Sequence, residues 1–159
     1  GVLFIFSNGA LSNVDGFSGL SRVGGDLAIY ANGALSNVDG FSGLSRVGGT
    51  LAIGSNRALS NVDGFSHLTT VGGGLYIESN GALSNVAGFS GVTSLSDLYL
   101  ESNLQLHDIS GFQNLMSVTN NFAVTDNASL CDGDVSDLLN QLSPPPASIT
   151  QSGNTGTCP

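Results

Sequence analysis

Leu27-Ala28-Ile29-Tyr30-Ala31-Asn32-Gly33-Ala34-Leu35-Ser36-Asn37-Val38-Asp39-Gly40-Phe41-Ser42-Gly43-Leu44-Ser45-Arg46-Val47-Gly48-Gly49-Thr50 decides the fold, because the chain repeats it. Residues 3 to 26 match it at 20 of 24 positions, and the stretch starting at Leu51 is nearly a third copy. Three of the four mismatches are Phe4/Ala28, Phe6/Tyr30 and Ser7/Ala31. In a strand, successive side chains point to opposite faces. The invariant pairs Leu3/Ile5, Leu27/Ile29 and Leu51/Ile53 therefore point one way and the varying residues the other. One face is fixed and its reverse has diversified, which points to a recognition surface without naming its ligand.

Further units begin at Leu75, Leu98 and Phe122, the one from Leu75 being one residue short, so five full turns and a partial sixth are expected. Leu27 and Ile29 alternate as a short strand does, whereas Leu35, Val38, Phe41, Leu44 and Val47 recur every third residue. A period of three is not an α-helix. It fits 3₁₀ turns or extended three-fold segments at corners, punctuated by Asp39-Gly40 and Gly48-Gly49. One unit cannot bury its own inner face, so units must stack into a continuous core, giving a mainly β, parallel β-solenoid of about six coils of 24 residues. Strands about 4.8 Å apart would make it roughly 25 to 30 Å long. Phe17, Phe41, Phe65, Phe89 and Phe112 would then form a core column. Asn8, Asn32, Asn56, Asn80, Asn103 and Asn127 would form a second column at the strand ends, serving backbone groups that no strand pairing reaches.

After Leu130 the pattern breaks, dividing the chain into repeats over 1–131 and a C-terminal cap over 132–159. Asp132 or Asp134 is placed to cap a short helix with Val135, Leu138, Leu139 and Leu142 on one face, stopped by Pro144, Pro145 and Pro146. Cys131 and Cys158 flank this segment in a chain otherwise free of Cys, which reads as a disulfide tying the tail over the last coil. A disulfide implies an oxidising compartment: periplasm, cell surface or medium. Nothing comparable precedes Leu3, so the opposite end is expected to be covered by upstream residues of a larger parent, or by a second chain in a homodimer.

Composition narrows the partners. Only 9% of residues are charged, against roughly 25% in an average globular protein, and Lys is absent. Asp and Glu number 12 against three Arg, a formal net charge of −9 that works against phosphate backbones and anionic lipid heads. Nucleic acid is not an expected partner. No apolar run is long enough to insert into a membrane, and no basic segment followed by an apolar run opens the sequence, so any secretion signal is expected to have been removed.

The element Leu-x-Ile-x-x-Asn, seen at Leu27 to Asn32, again at Leu75 to Asn80 and, with Leu100 in place of Ile, at Leu98 to Asn103, resembles the leucine-rich repeat. With Phe41, Leu44, Val47 and Gly48-Gly49 the pattern is more similar to the receptor L-domain repeats of insulin-receptor and epidermal-growth-factor-receptor ectodomains. The ending Asn127-Ala128-Ser129-Leu130-Cys131 is similar to the close of such domains. The resemblance implies a right-handed β-helix of leucine-rich type acting as an extracellular ligand-binding module, secreted or displayed on a cell surface. The chain departs from those domains in lacking an N-terminal cap and most of their cysteines, and no family contact residue carries over.

The varying face nominates Phe4, Phe6, Tyr30, Tyr76, Glu78, Tyr99 and Glu101 as ligand-binding residues. Exposed aromatics supply apolar area with few rotamers to freeze, and Glu78 and Glu101 are placed to select a basic partner, so a protein, peptide or glycan ligand is expected. Asp15, Asp39 and Asp63 also stack, and like charges about 5 Å apart call for an offset, by a cation or by Asp side chains accepting backbone N–H groups at a turn. Calcium-solenoid and EF-hand ligand patterns are missing, so no cofactor or metal is expected. His67 and His107 occupy different coil positions, and polysaccharide-lyase chemistry needs clustered acids with basic partners that three Arg do not supply, so the expectation is a non-enzymatic module. The alternative is an ice-binding or other repetitive-surface adhesion protein, suggested by the Ser12, Ser36, Ser60 and Ser84 ladder.

Overall fold

A computed structural model describes residues 1–158. Each unit opens with a four- or five-residue strand: β1 (Leu3–Phe6), β3 (Leu27–Tyr30), β5 (Leu51–Gly54), β7 (Leu75–Glu78), β9 (Leu98–Glu101) and β11 (Asn121–Thr125). These pair in parallel, in the order β1-β3-β5-β7-β9-β11, with Leu3 against Leu27, Leu27 against Leu51 and so on through the stack. The architecture is thus a solenoid-like stack of parallel strands. Short strands β2 (Arg22–Val23), β4 (Arg46–Val47) and β6 (Thr70–Val71) form a second sheet, and β8 (Ser94–Leu95) pairs with β10 (Ser117–Val118) in a third. The gap between these two small sheets falls at the shortened unit, where Ser96-Asp97 stands in for the Gly-Gly-x corner.

The period of three resolves into one 3₁₀ turn per unit, at Asp15–Phe17, Asp39–Phe41, Asp63–Phe65, Ala87–Phe89 and Ser110–Phe112. Stacking these turns at strand spacing leaves no room for a side chain at their middle residue. A Cβ on Gly40 would stand 1.8 Å from the Val14 carbonyl oxygen, and one on Gly64 1.9 Å from that of Val38. Inside, Leu27, Ile29, Leu35, Val38, Phe41, Leu44 and Val47 are fully buried, as are their counterparts in the next two units apart from Val71 and Leu95, which are nearly so. Phe rings from successive units stack 5.4 to 6.0 Å apart.

The Asn column closes the strand ends. Each strand exits through a residue with positive φ, Ser7, Ala31, Ser55, Ser79, Ser102 or Asp126, and in every unit after the first the following Asn is buried. Asn56 Oδ1 accepts the backbone N–H of Asn32 at 3.0 Å, while Asn56 Nδ2 donates to the Ile29 carbonyl at 2.9 Å, and the pattern repeats along the stack. The side chain thereby satisfies groups that leave the strand ladder, in the unit before its own.

α1 (Asp132–Gln141) seals the last unit with Val135, Leu138 and Leu142 buried and Leu139 partly so. Its N-cap is Cys131, without a side-chain capping bond, so Asp132 and Asp134 lie in the first turn rather than at the cap position expected of one of them. There their charge faces the positive end of the helix dipole. Cys131 and Cys158 are disulfide-bonded. The tail does more than lie over the cap: β12 (Ser148–Ser152) adds a seventh parallel strand beside β11, and Asn154 Oδ1 accepts the Asn127 N–H as a further rung. No helix among the described residues is long and apolar enough to cross a membrane, and the disulfide is compatible with an extracellular location.

Candidate functional site

The pleat of the large sheet sorts side chains as the alternation requires. Leu and Ile of each Leu-x-Ile strand enter the core, and the intervening positions line the outer face in two columns. Phe4, Ala28, Ala52, Tyr76, Tyr99 and Ala123 form one; Phe6, Tyr30, Gly54, Glu78, Glu101 and Thr125 form the other. All seven residues singled out in the sequence lie on this face.

They fall into two groups with different geometry. At the β1 end, Phe4 and Phe6 are more than half exposed, at 56% and 51%, and meet edge to face at 6.0 Å. Phe6 stacks on Tyr30 at 5.5 Å with ring planes 9° apart. Tyr30 then reaches across β5 and donates its hydroxyl proton to Glu78 Oε1. Gly54 makes this crossing possible: a Cβ there would lie 2.2 Å from the Tyr30 ring. Burial, then the bond and charge of Glu78, push the Tyr30 phenol well above its ordinary value.

In the second group Tyr76 and Tyr99 stack at 4.8 Å with planes 8° apart, each half-buried. Another glycine makes space, since a Cβ on Gly74 would meet the Tyr76 ring at 2.5 Å. Burial, with the nearby charge of Asp97 and then Tyr99, raises the Tyr76 phenol. Asp97 itself is held below the usual carboxylate range: burial pulls it upward, but bonds from Asn121, Ser96 and Asn120 together outweigh that. Asn121 Nδ2 donates to Asp97 Oδ1 at 2.6 Å. Glu101 is the lateral neighbour of Glu78 and is not part of the Tyr30 bond.

Sequence alternation located the aromatic and acidic columns, Gly54 among them, but not the space that Gly54 and Gly74 leave for the rings, nor Asp97 and Asn121. The signal was present in the two glycines, which replace the Tyr30 and Thr50 of the preceding unit. Their meaning depends on where a neighbouring unit's ring lies.

The Asp15, Asp39 and Asp63 column has a different local chemistry from the one expected. The side chains accepting backbone N–H groups at these turns are Asn13, Asn37 and Asn61, whose Oδ1 atoms accept from Asp15, Asp39 and Asp63 at 3.2 Å. Asn85 serves Ala87 likewise at 3.1 Å. Asp108 takes the same position and accepts the Ser110 N–H at 2.8 Å; bonds from the Ser110 hydroxyl and then its N–H, with the nearby His107 adding to them, hold the Asp108 carboxyl below the usual range against its burial. Among the described residues no group of three or more His, Cys, Asp or Glu is arranged to hold a metal ion. Between the last 3₁₀ turn and α1 lies an open cleft of about 400 Å³, where Asp108, Asp134 and Asp137 rim an apolar floor of Ile109 and Leu138. Comparison with protein-family models, curated proteins and solved structures returns no match to this chain.

Proposed function

We propose that this chain is an extracellular, non-enzymatic recognition module, a right-handed solenoid of six coils of the leucine-rich, receptor L-domain type, whose outer sheet face binds a protein, peptide or glycan. One observation carries it: within the strands, the inward positions stay apolar from unit to unit, while the outward ones exchange Phe, Ala, Tyr, Gly and Glu. Packing alone fixes the inward positions; what points to recognition is that the outward exchanges bring in large aromatic and acidic side chains. The stacked Tyr76 and Tyr99 present a rigid, half-exposed aromatic ridge, the kind of surface that anchors interfaces at low entropic cost. Glu101 supplies an acidic flank, whereas Glu78 is engaged by Tyr30 and acts mainly to hold that ring in place. The ice-binding alternative has less support. Its Ser36, Ser60 and Ser84 hydroxyls donate to carbonyls of the preceding unit at 3.3 to 3.4 Å, so those protons serve the protein.

The test is a peptide and glycan array probed with the chain and with the Tyr76→Ala/Tyr99→Ala variant, folding being checked by circular dichroism. Wild type retains a ligand, and the folded variant binds it at least about tenfold more weakly, as expected when interface anchors are removed. A wild type that retains nothing, or a variant that binds equally well, removes this function.

A further inference from the structure

The face of the first unit is built as an internal surface. Gly16 shows this best. Its counterparts Gly40, Gly64, Gly88 and Gly111 are obligatory, because a carbonyl of the unit before would lie 1.8 to 2.0 Å from any Cβ. A Cβ on Gly16 meets nothing within 4 Å. Phe17 stacks on Phe41 with one face and is only partly buried, while Phe41, Phe65, Phe89 and Phe112 are enclosed on both sides.

The Asn ladder is equally incomplete here. Asn32 Nδ2 donates both back to the Tyr30 carbonyl of its own strand and across to the Ile5 carbonyl of the preceding unit at 2.9 Å, whereas Asn8 Nδ2 makes only the bond back, to Phe6. Asn32 Oδ1 accepts an N–H from the preceding unit, that of Asn8; the equivalent donor for Asn8 Oδ1 would belong to a unit before β1. Beside these residues lies an apolar hollow of about 290 Å³, lined by Val2, Leu3, Phe17, Leu20 and Val23. The far end of the stack, by contrast, departs from the repeat and is covered by α1 and β12.

We infer that this face receives one more coil of the same repeat, in parallel register, contributed by residues immediately N-terminal to Gly1. In that register its Val carbonyl lies over Gly16, its Phe stacks on Phe17 and its Asn N–H reaches Asn8 Oδ1. Gly1 and Val2 already follow the path of such a coil: the Gly1 carbonyl accepts from Gly25 N–H at 2.8 Å, as Gly25 accepts from Gly49 and Gly49 from Gly73, both at 3.0 Å. A second copy related by a two-fold axis runs its strands antiparallel and meets none of these positions in register.

The test is a chain extended by one unit with the sequence of residues 27 to 48 placed directly ahead of Gly1, so that Gly1 and Val2 complete it. The added coil is expected to raise the melting temperature by at least about 5 °C, because it covers the open apolar end. Gly16→Ala, silent in the 159-residue chain, is expected to destabilise the extended one as strongly as Gly40→Ala does. An extension that leaves the melting temperature unchanged overturns the inference, and so does a Gly16→Ala that stays silent in the extended chain. Self-association of the 159-residue chain, measured by sedimentation, that the added coil abolishes without raising the melting temperature assigns the face to a second copy and overturns the inference.

Discussion

A single Asn per unit carries polar bonds that the strands cannot make. Asn80 is fully buried, accepts the Asn56 N–H at 3.1 Å and donates to the Ile53 carbonyl at 2.9 Å. Asn80→Ala orphans both backbone groups, each at about 1 to 3 kcal/mol, so denaturant titration is expected to show a loss of roughly 2 to 6 kcal/mol. An Asp at this position keeps an acceptor but loses the donor, and is expected to rescue only part. Tyr30 gives a pH dependence of definite sign. Its phenol is raised above the ordinary value of 10.0 and Tyr76 is raised too, so the folded state holds these protons longer than the unfolded chain. Their contribution is fully present below pH 10 and is lost as pH rises beyond it. Urea midpoints at pH 8, 9.5 and 11 are expected to fall across the last interval, and Tyr30→Phe to flatten that fall. The Asn column could be read from sequence by its 24-residue recurrence. Glycine gives no such clue: Gly54 means a space for Tyr30 only once the two units are side by side.

At the scale of elements, period two and period three separated strand from 3₁₀ turn because each is set locally by which positions face the core. The helix was legible for the same reason, from Val135, Leu138 and Leu142. β12 was not. Ser148–Ser152 is polar and follows three prolines, and its strand state comes from the free edge of β11 rather than from its own residues. The disulfide holds it there from its far side, with the Cys131–Gly156 bridge adjacent to Cys158. Joining residues 27 apart in sequence, the Cys131–Cys158 bond restricts the unfolded chain by about 3 to 4 kcal/mol. Reduction is therefore expected to lower the melting temperature, and hydrogen exchange to show β12 amides losing protection before those of β5 and β7. Equal protection of all three strands after reduction would show that β12 holds by its pairing alone.

Over the whole molecule, the repeats bond to their immediate neighbours, the Tyr30–Glu78 bond across β5 excepted, so stability accumulates along one axis rather than around one centre. The register was legible because identical residues fall opposite one another when units of equal length are stacked, as Leu3 does to Leu27 and Leu27 to Leu51. The missing residue of the Leu75 unit was equally visible in the sequence, but its effect on the smaller sheets was not, since that depends on how a shortened corner is absorbed. The large sheet passes through this unit unbroken, whereas β6 and β8 share no ladder. The rod is in effect two blocks with a fault plane between them, bonded along one flank by the β5–β7 ladder and along the other only by the Ser96 N–H donating to the Gly73 carbonyl at 3.2 Å. Native-state exchange is expected to reveal two cooperative groups on the weaker flank, β2, β4 and β6 opening together and β8 with β10 apart from them. Restoring one glycine after Leu95 is expected to merge them. A rod pulled from its ends would splay first at that plane, hinging about the strand pair β5 and β7.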